Sequence, residues 1–168
     1  MSQRLNPADM ICYALYSANH ALTRTYRDLL DPLGLTYPQY LVLVTLWSAD
    51  HPLSVKSIGQ TLSLDSGTLT PLLKRLEGMG LVMRRRNPED ERGTLISLTQ
   101  NGQRMRDRAR HVPDAIRKAT GLSLEELGRL RSEITILRER LEAHHGFGKA
   151  FAQRAIGIAN PEVAATGC

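Results

Sequence analysis

SVKSIGQTLSLDSGTLTPLLKRLEGMGLVMRRRNPEDERGTLISLT, residues 54–99, decides the fold. Ser54 is an N-cap for a short helix reaching about Leu62. Asp65 or Ser66 caps a second helix to about Met79, where Gly80 ends it. Val82–Arg86 and Thr94–Leu98 then read as strands, joined by the charged loop NPEDERG at 87–93. Helix, turn, helix and hairpin in this order predict a winged helix-turn-helix. That arrangement sets one helix in a DNA major groove with a hairpin beside it. Pro71 lies inside the second helix, and its missing donor predicts a distortion there but no break.

Charge follows the same segment. The chain carries 22 Lys/Arg against 17 Asp/Glu, a formal net charge of +5. Residues 1–50 hold three basic and four acidic groups, residues 51–110 eleven and six, and residues 111–168 eight and seven. The excess therefore lies in and just after the helix-turn-helix. Such a patch attracts phosphate by releasing counterions, whatever the base sequence.

With 168 residues the chain is long enough for one domain with helical extensions and a core of its own. The expected architecture is mainly α with a small β-wing. Residues 1–34 are read as an N-terminal helical segment, 35–99 as the winged helix-turn-helix DNA-binding region, 100–145 as C-terminal helices and 146–168 as a flexible tail with a helical turn or two. No apolar run approaches a membrane span, and no basic segment leads into an apolar stretch as in a signal peptide. The two cysteines, Cys12 and Cys168, are too few and too far apart for a disulfide framework or a metal site. A reducing, cytoplasmic setting without metal or cofactor is expected.

Outward from the motif, residues 8–30 read as a helix, with Leu15, Ala18, Leu22, Leu29 and Leu30 near one stripe. Asp31-Pro32-Leu33-Gly34 ends it. Thr36 and Gln39 form a capping box for an apolar helix to about Trp47, expected at the centre of the core. A helix from about Gln100 carries Met105, Ala109 and Val112, with a kink or break expected at Pro113. Ser123 and Glu126 box the start of a last helix to about His145. Its Leu127, Leu130, Ile134, Leu137 and Leu141 form a coiled-coil-like seam that needs a partner, either the N-terminal helix or a second subunit.

The candidate DNA-reading residues lie on the second helix of the motif. Ser66, Gly67, Thr68 and Thr70 occupy exposed early positions, with Lys74 and Arg75 one turn later, while Leu69, Leu72, Leu73 and Leu76 face inward. Short hydroxyl side chains approach base edges and phosphates, and helix N-terminal amides favour phosphate. In the wing, Arg92 suits a narrow minor groove, held in pose by Asp90. Arg84, Arg85 and Arg86 read as backbone contacts or plain surface.

Two phrases carry a resemblance. YRDLLDPLGLTYPQYLVLVTLW (26–47) and LDSGTLTPLLKRLE (64–77), with Asp90-Glu91-Arg92 and Leu98-Thr99, resemble the MarR family of bacterial regulators, and within it the organic hydroperoxide resistance regulators. The resemblance spans roughly residues 10–140. It implies a symmetric homodimer whose dimerisation region is built from the N-terminal dimerisation and sensor helix of residues 1–34 and the C-terminal dimerisation helices of 100–145, bound to a pseudo-palindromic operator and repressing the gene of a hydroperoxide-reducing enzyme. It also implies a sensing cysteine in the first helix, where Cys12 stands in ICYALY. The tyrosines that hydrogen-bond this sulfur across the dimer would be Tyr26 and Tyr37, with Tyr16 one turn beyond Cys12 as a neighbour.

The chemistry is coherent, because peroxides react with thiolate and tyrosine hydroxyls donate hydrogen bonds that favour it. The chain departs from two-cysteine members, having no cysteine between Cys12 and Cys168. Cys12 is therefore expected to form a mixed disulfide with a small cellular thiol, with Cys168 left open as an intermolecular alternative. Two rival readings stand: a repressor released by a small aromatic ligand with Cys12 incidental, and a thiol peroxidase. No arginine or acid in a catalytic phrase accompanies Cys12, which argues against the peroxidase.

Overall fold

The structure, a computed structural model, describes residues 6–88 and 93–156, with side chains as far as His144. Two compact units emerge, residues 1–120 and 121–168. The first holds α1 (Ile11–Leu30), α2 (Tyr37–Trp47), β1 (Leu53–Ser54), α3 (Val55–Leu62), α4 (Ser66–Gly78), β2 (Val82–Arg86), β3 (Thr94–Leu98), α5 (Gln100–Arg108) and α6 (Val112–Thr120). The second holds α7 (Leu124–Ile156). The architecture is mainly helical with a small antiparallel wing, as the sequence predicts.

Local chemistry sets most boundaries. A 3-10 turn at Asp31–Leu33 follows α1, and Gly34 turns the chain at φ +69°, a conformation that favours glycine. The backbone N–H of Thr36 donates to Gln39 Oε1 at 2.9 Å, so the expected capping box opens α2. Gln39 is nonetheless 2% exposed, a polar side chain buried because its acceptor is used. Val42 and Leu43 are fully buried, with Tyr40 and Leu46 nearly so. The helix is the centre of the core, packed with Leu30, Leu33, Ile58, Leu73 and Ile96.

The helix-turn-helix has a tight joint. Ser54 Oγ accepts from Ser57 N at 3.0 Å to start α3. Ser63 leaves it in the left-handed region at φ +52°. Leu64 N donates to Gly59 O at 2.9 Å, and a Cβ on Gly59 would stand 2.8 Å from Leu64 O. Asp65 then caps α4, accepting from Thr68 N at 2.9 Å. α4 runs through Pro71 as one helix, as expected. After it, Gly80 turns at φ +68° and Leu81 N donates back to Leu76 O at 3.0 Å.

The sheet corrects the two-strand expectation. Its order is β1-β3-β2, with Leu53 opposite Ile96 and Ser54 opposite Leu95 on one side of β3. On the other side Val82 faces Leu98, Arg84 faces Ile96 and Arg86 faces Thr94. Asn87 N donates to Gly93 O at 2.9 Å and closes the base of the wing.

Two further corrections concern helices. The kink or break expected at Pro113 is a break, and it falls earlier, between Arg108 and Val112. Pro113 instead occupies the first turn of α6, where its missing donor costs no hydrogen bond. The last helix passes the expected end near His145 and reaches Ile156, so residues 146–156 are helical. The Ala, Lys, Gln and Arg there are strong helix formers, and two glycines cost only about 1 kcal/mol each. The rest of the expected tail, 157–168, lies outside the described residues. At the start of α7, Ser123 and Glu126 exchange hydrogen bonds of 2.8 and 3.2 Å, the expected capping box.

Both units leave apolar surface uncovered. Of the stripe expected on α1 only Leu30 is buried; Leu15 and Leu29 are half-buried, and Ala18 and Leu22 are exposed. Ile11 is 66% and Tyr16 62% exposed. On α7 the seam residues Leu130, Ile134 and Leu141 are likewise exposed.

Candidate nucleic-acid interface

α4 presents two faces. Leu69, Leu73 and Leu76 are buried to 1% or less, with Leu72 half-buried. Ser66, Gly67, Thr68, Thr70, Lys74 and Arg75 are all exposed. At 3.6 residues per turn, Ser66, Thr70 and Lys74 make one ridge, and Thr68 and Arg75 lie on another two turns apart. Hydroxyls sit toward the N-terminal end and cations toward the C-terminal end.

Asp65 governs the start of this face. Thr68 donates to it twice, from its backbone N–H and from Oγ1, both at 2.9 Å. These bonds hold the Asp65 carboxyl below the usual carboxylate range. They also commit the Thr68 hydroxyl proton, leaving that oxygen only as an acceptor. A Cβ on Gly67 would stand 2.9 Å from Asp65 Oδ1, so the small residue keeps the cap in place.

Between α3, the start of α4 and the base of the wing lies an open groove of ≈ 1000 Å³. Lys56, Gln60, Ser66, Thr70, Arg84 and Asn87 line it. Sequence reasoning missed Lys56, which is exposed on the first turn of α3. Its signal was available: a cation two residues after a capping Ser, in the segment that holds the charge excess. Asp90 and Arg92 lie outside the described residues.

The cysteine region is separate. Cys12 is a free, exposed thiol in the first turn of α1, and Tyr16 follows one turn later, its ring 4.4 Å from that of His20. Tyr26 and Tyr37 do come together, with ring centroids 4.2 Å apart. Tyr40, which sequence reasoning did not single out for this region, is 6.1 Å from Tyr26 and 6.1 Å from Trp47. Burial first, then the neighbouring Tyr37 and Tyr40, pushes the Tyr26 hydroxyl up to about 12. Burial also raises Tyr37. Both hydroxyls thus remain protonated donors at neutral pH. Within one chain Cys12 does not reach this pair. Cys12 and Tyr26 share a continuous helix, and a rise of 1.5 Å per residue puts them about 21 Å apart along it.

Among the described residues no cluster of three His, Cys, Asp or Glu could hold a metal ion, and no helix is long and apolar enough to cross a membrane.

A capped, hydroxyl-bearing helix beside a three-stranded wing defines a winged helix-turn-helix protein. A family model described as "Transcriptional regulator SarA/Rot" matches residues 24–108. The chain is 45% identical over 133 residues to the organic hydroperoxide resistance transcriptional regulator of Bacillus subtilis, covering 79% of this chain and 90% of that protein. Reduced AbfR bound to DNA shares 37% identity with a TM-score of 0.68, covering 80% of this chain and 93% of that one. AbfR, from Staphylococcus epidermidis, is also solved with its disulfide formed, at a TM-score of 0.58 and 37% identity over 77% of this chain and 90% of that one. Apo MarR of E. coli aligns at 27% identity and a TM-score of 0.60, over 76% of this chain and 96% of that one. The chain belongs to the MarR family of transcriptional regulators. It is therefore a regulator and not an enzyme.

Proposed function

We propose that this protein is a homodimeric repressor that binds a pseudo-palindromic DNA operator when reduced and leaves it when an organic hydroperoxide oxidises Cys12. The observation that carries the reading is the division of the cysteine region within one chain. Cys12 sits exposed at one end of α1, while the protonated Tyr26–Tyr37 pair sits at the other. A second copy running in the opposite sense along α1 brings the two together, and also covers Ile11 and Tyr16. The exposed seam of α7 offers further apolar area for the same association. In this reading residues 1–34 and 100–145 form the dimerisation region and 35–99 the reading head. Ser66, Gly67, Thr68, Thr70, Lys74 and Arg75 face the major groove, with Asp90 and Arg92 at the wing tip. The relatives solved bound to DNA and named for hydroperoxide resistance support it.

The chemistry runs in two balanced steps. The Cys12 thiolate attacks the terminal peroxide oxygen, forming an S–O bond, breaking O–O and releasing an alkoxide that takes a proton to become the alcohol. The resulting sulfenic acid then condenses with a small cellular thiol, giving a mixed disulfide and water. Tyr26 and Tyr37 hydroxyls hold the thiolate beforehand, and the bulkier product displaces them. A tenfold loss of operator affinity requires only about 1.4 kcal/mol between the two states.

The test is to bind the reduced protein to the DNA upstream of its gene and titrate cumene hydroperoxide, in wild type and Cys12→Ser. Release confined to wild type supports the reading; equal release in both places the sensor elsewhere.

A second reading has its own observation. A pocket of ≈ 620 Å³ is lined by Tyr40, Trp47, Arg106 and Arg110 among others. Aromatic rings beside guanidinium groups suit an aromatic acid. Release by such a compound, unaffected by loss of Cys12, favours this alternative.

A further inference from the structure

Arg84 breaks the pattern of its strand. It stands opposite Ile96 in the centre of the β2–β3 ladder, and its side chain is 30% exposed although it carries a full charge. Its guanidinium reaches across to α4 and meets that helix at two places. Nη2 donates to the backbone oxygen of Thr70 at 3.4 Å, and Nε lies 3.2 Å from Glu77 Oε2. The Nε contact is an ion pair without hydrogen-bond alignment. Thr70 and Glu77 are seven residues apart and therefore on the same stripe of the helix. Helical side chains lean toward the N-terminus, so the Glu77 carboxylate reaches back toward Thr70 and both meet one guanidinium.

We propose that Arg84 is a positioning residue that locks the recognition helix to the wing, and that Glu77 is its counter-charge. This rests on the DNA-binding reading above. The recognition helix and the wing address different grooves, so the angle between them decides whether both engage one half-site. Thr70 joins the two roles: its side chain lies on the reading face while its carbonyl oxygen is held by Arg84. The alternative for any arginine lining this groove is a direct phosphate contact. The two roles predict opposite signs at Glu77. If Arg84 binds phosphate, removing the Glu77 charge frees the guanidinium and tightens DNA binding. If Arg84 positions the helix, the same change weakens specific binding.

The experiment selects a preferred sequence from a randomised duplex pool with reduced wild-type protein. Affinity is then measured by fluorescence anisotropy on the selected duplex and on its scrambled form, across a range of salt. Glu77→Gln and Arg84→Met should each lose about tenfold on the selected duplex and little on the scrambled one. The double variant should be no worse than either single one, because both remove the same clamp. Arg84→Lys, which keeps the charge without the fork, should recover only part of the loss. Melting temperatures close to wild type establish that the variants are folded, and the nearly isosteric Glu77→Gln carries the test if Arg84→Met is not. Tighter binding by Glu77→Gln overturns the proposal. So does a fall in salt slope of about 0.9 per lost contact in Arg84→Met, which marks a phosphate contact. Unchanged affinity in every variant overturns it too. If wild type selects no sequence at all, the DNA-binding reading itself fails.

Discussion

Within one chain the face around α4 is finished: its cap is hydrogen-bonded, Leu69, Leu73 and Leu76 are buried, and its cations and hydroxyls are already exposed. The face around Cys12 is unfinished. Its thiol is exposed, its apolar neighbours are uncovered, and the tyrosine pair proposed to serve it lies far along the chain's fold, Tyr26 toward the other end of α1 and Tyr37 at the start of α2. In the proposed reading this division has a reason: a reading head can be complete in a monomer because half of an operator is its whole ligand, whereas a sensor that must alter the distance between two heads gains from being built where two chains meet, so that oxidation acts directly on the contact that sets their spacing.

Substitutions should separate the two faces, beginning with the largest effect. Cys12→Ser should abolish release by hydroperoxide and leave reduced-state operator affinity within about twofold, as a small change outside the reading head. A parallel loss of DNA binding would show that the faces are not separable. Gly59→Ala should do the reverse. Its new methyl meets Leu64 O in the helix-turn-helix joint, so thermal unfolding should show a loss of about 1–3 kcal/mol and operator binding should fall with it. Lys56→Gln sharpens the account of the reading face. If Lys56 touches phosphate, the slope of log affinity against log salt should fall by about 0.9 for each contact removed, with equal loss on selected and scrambled duplexes.

Two pH experiments give smaller effects. Tyr26 is pushed up to about 12 from 10.0, mainly by burial, so folding favours its neutral form. That stabilisation is complete below the unfolded value and is lost as pH rises through about 12. Tyr26→Phe should flatten the alkaline fall in melting temperature, and its release curve should shift to higher hydroperoxide. Asp65 has the opposite sign, since its folded value is lowered by the Thr68 hydrogen bonds. Its contribution is present above the ordinary carboxylate range and disappears as pH falls through the lowered value. The melting difference between wild type and Asp65→Ala should vanish in acid; a difference that persists would assign the effect to something other than the ionised cap.

The same contrast explains what was legible in the sequence. The caps at Thr36–Gln39, Ser54, Asp65 and Ser123–Glu126 are local events, spanning four residues or fewer, and each could be read directly. Both long strands of the wing were legible for the same reason, bounded by Gly80 and by the turn residues of the loop. β1 was not, because two residues pairing with Leu95 and Ile96 some forty positions away leave no local pattern. Pro113 misled because proline marks either a break or a first turn, and here the chain breaks just before it. Arg84 looked like surface for a similar reason, as its partners lie on another element. For Cys12 the proposed link to Tyr26 and Tyr37 comes from the resemblance alone, since no periodicity within one chain connects them.

The claim that the sensor is assembled between two copies is tested most directly by cross-linking. In a Cys168→Ser background, Tyr26→Cys is introduced and the reduced protein is treated with a short bis-maleimide and run on a denaturing gel, with Cys12→Ser and the unsubstituted Tyr26 protein as controls. A cross-linked dimer that requires both Cys12 and the new cysteine is predicted, because a tyrosine hydroxyl bonded to Sγ leaves the two Cα atoms about 10 Å apart, too far for a direct disulfide but within reach of the linker, while the same-chain pair is about 21 Å apart. A monomer-only product, or a dimer that forms equally without Cys12 or without the new cysteine, would contradict it.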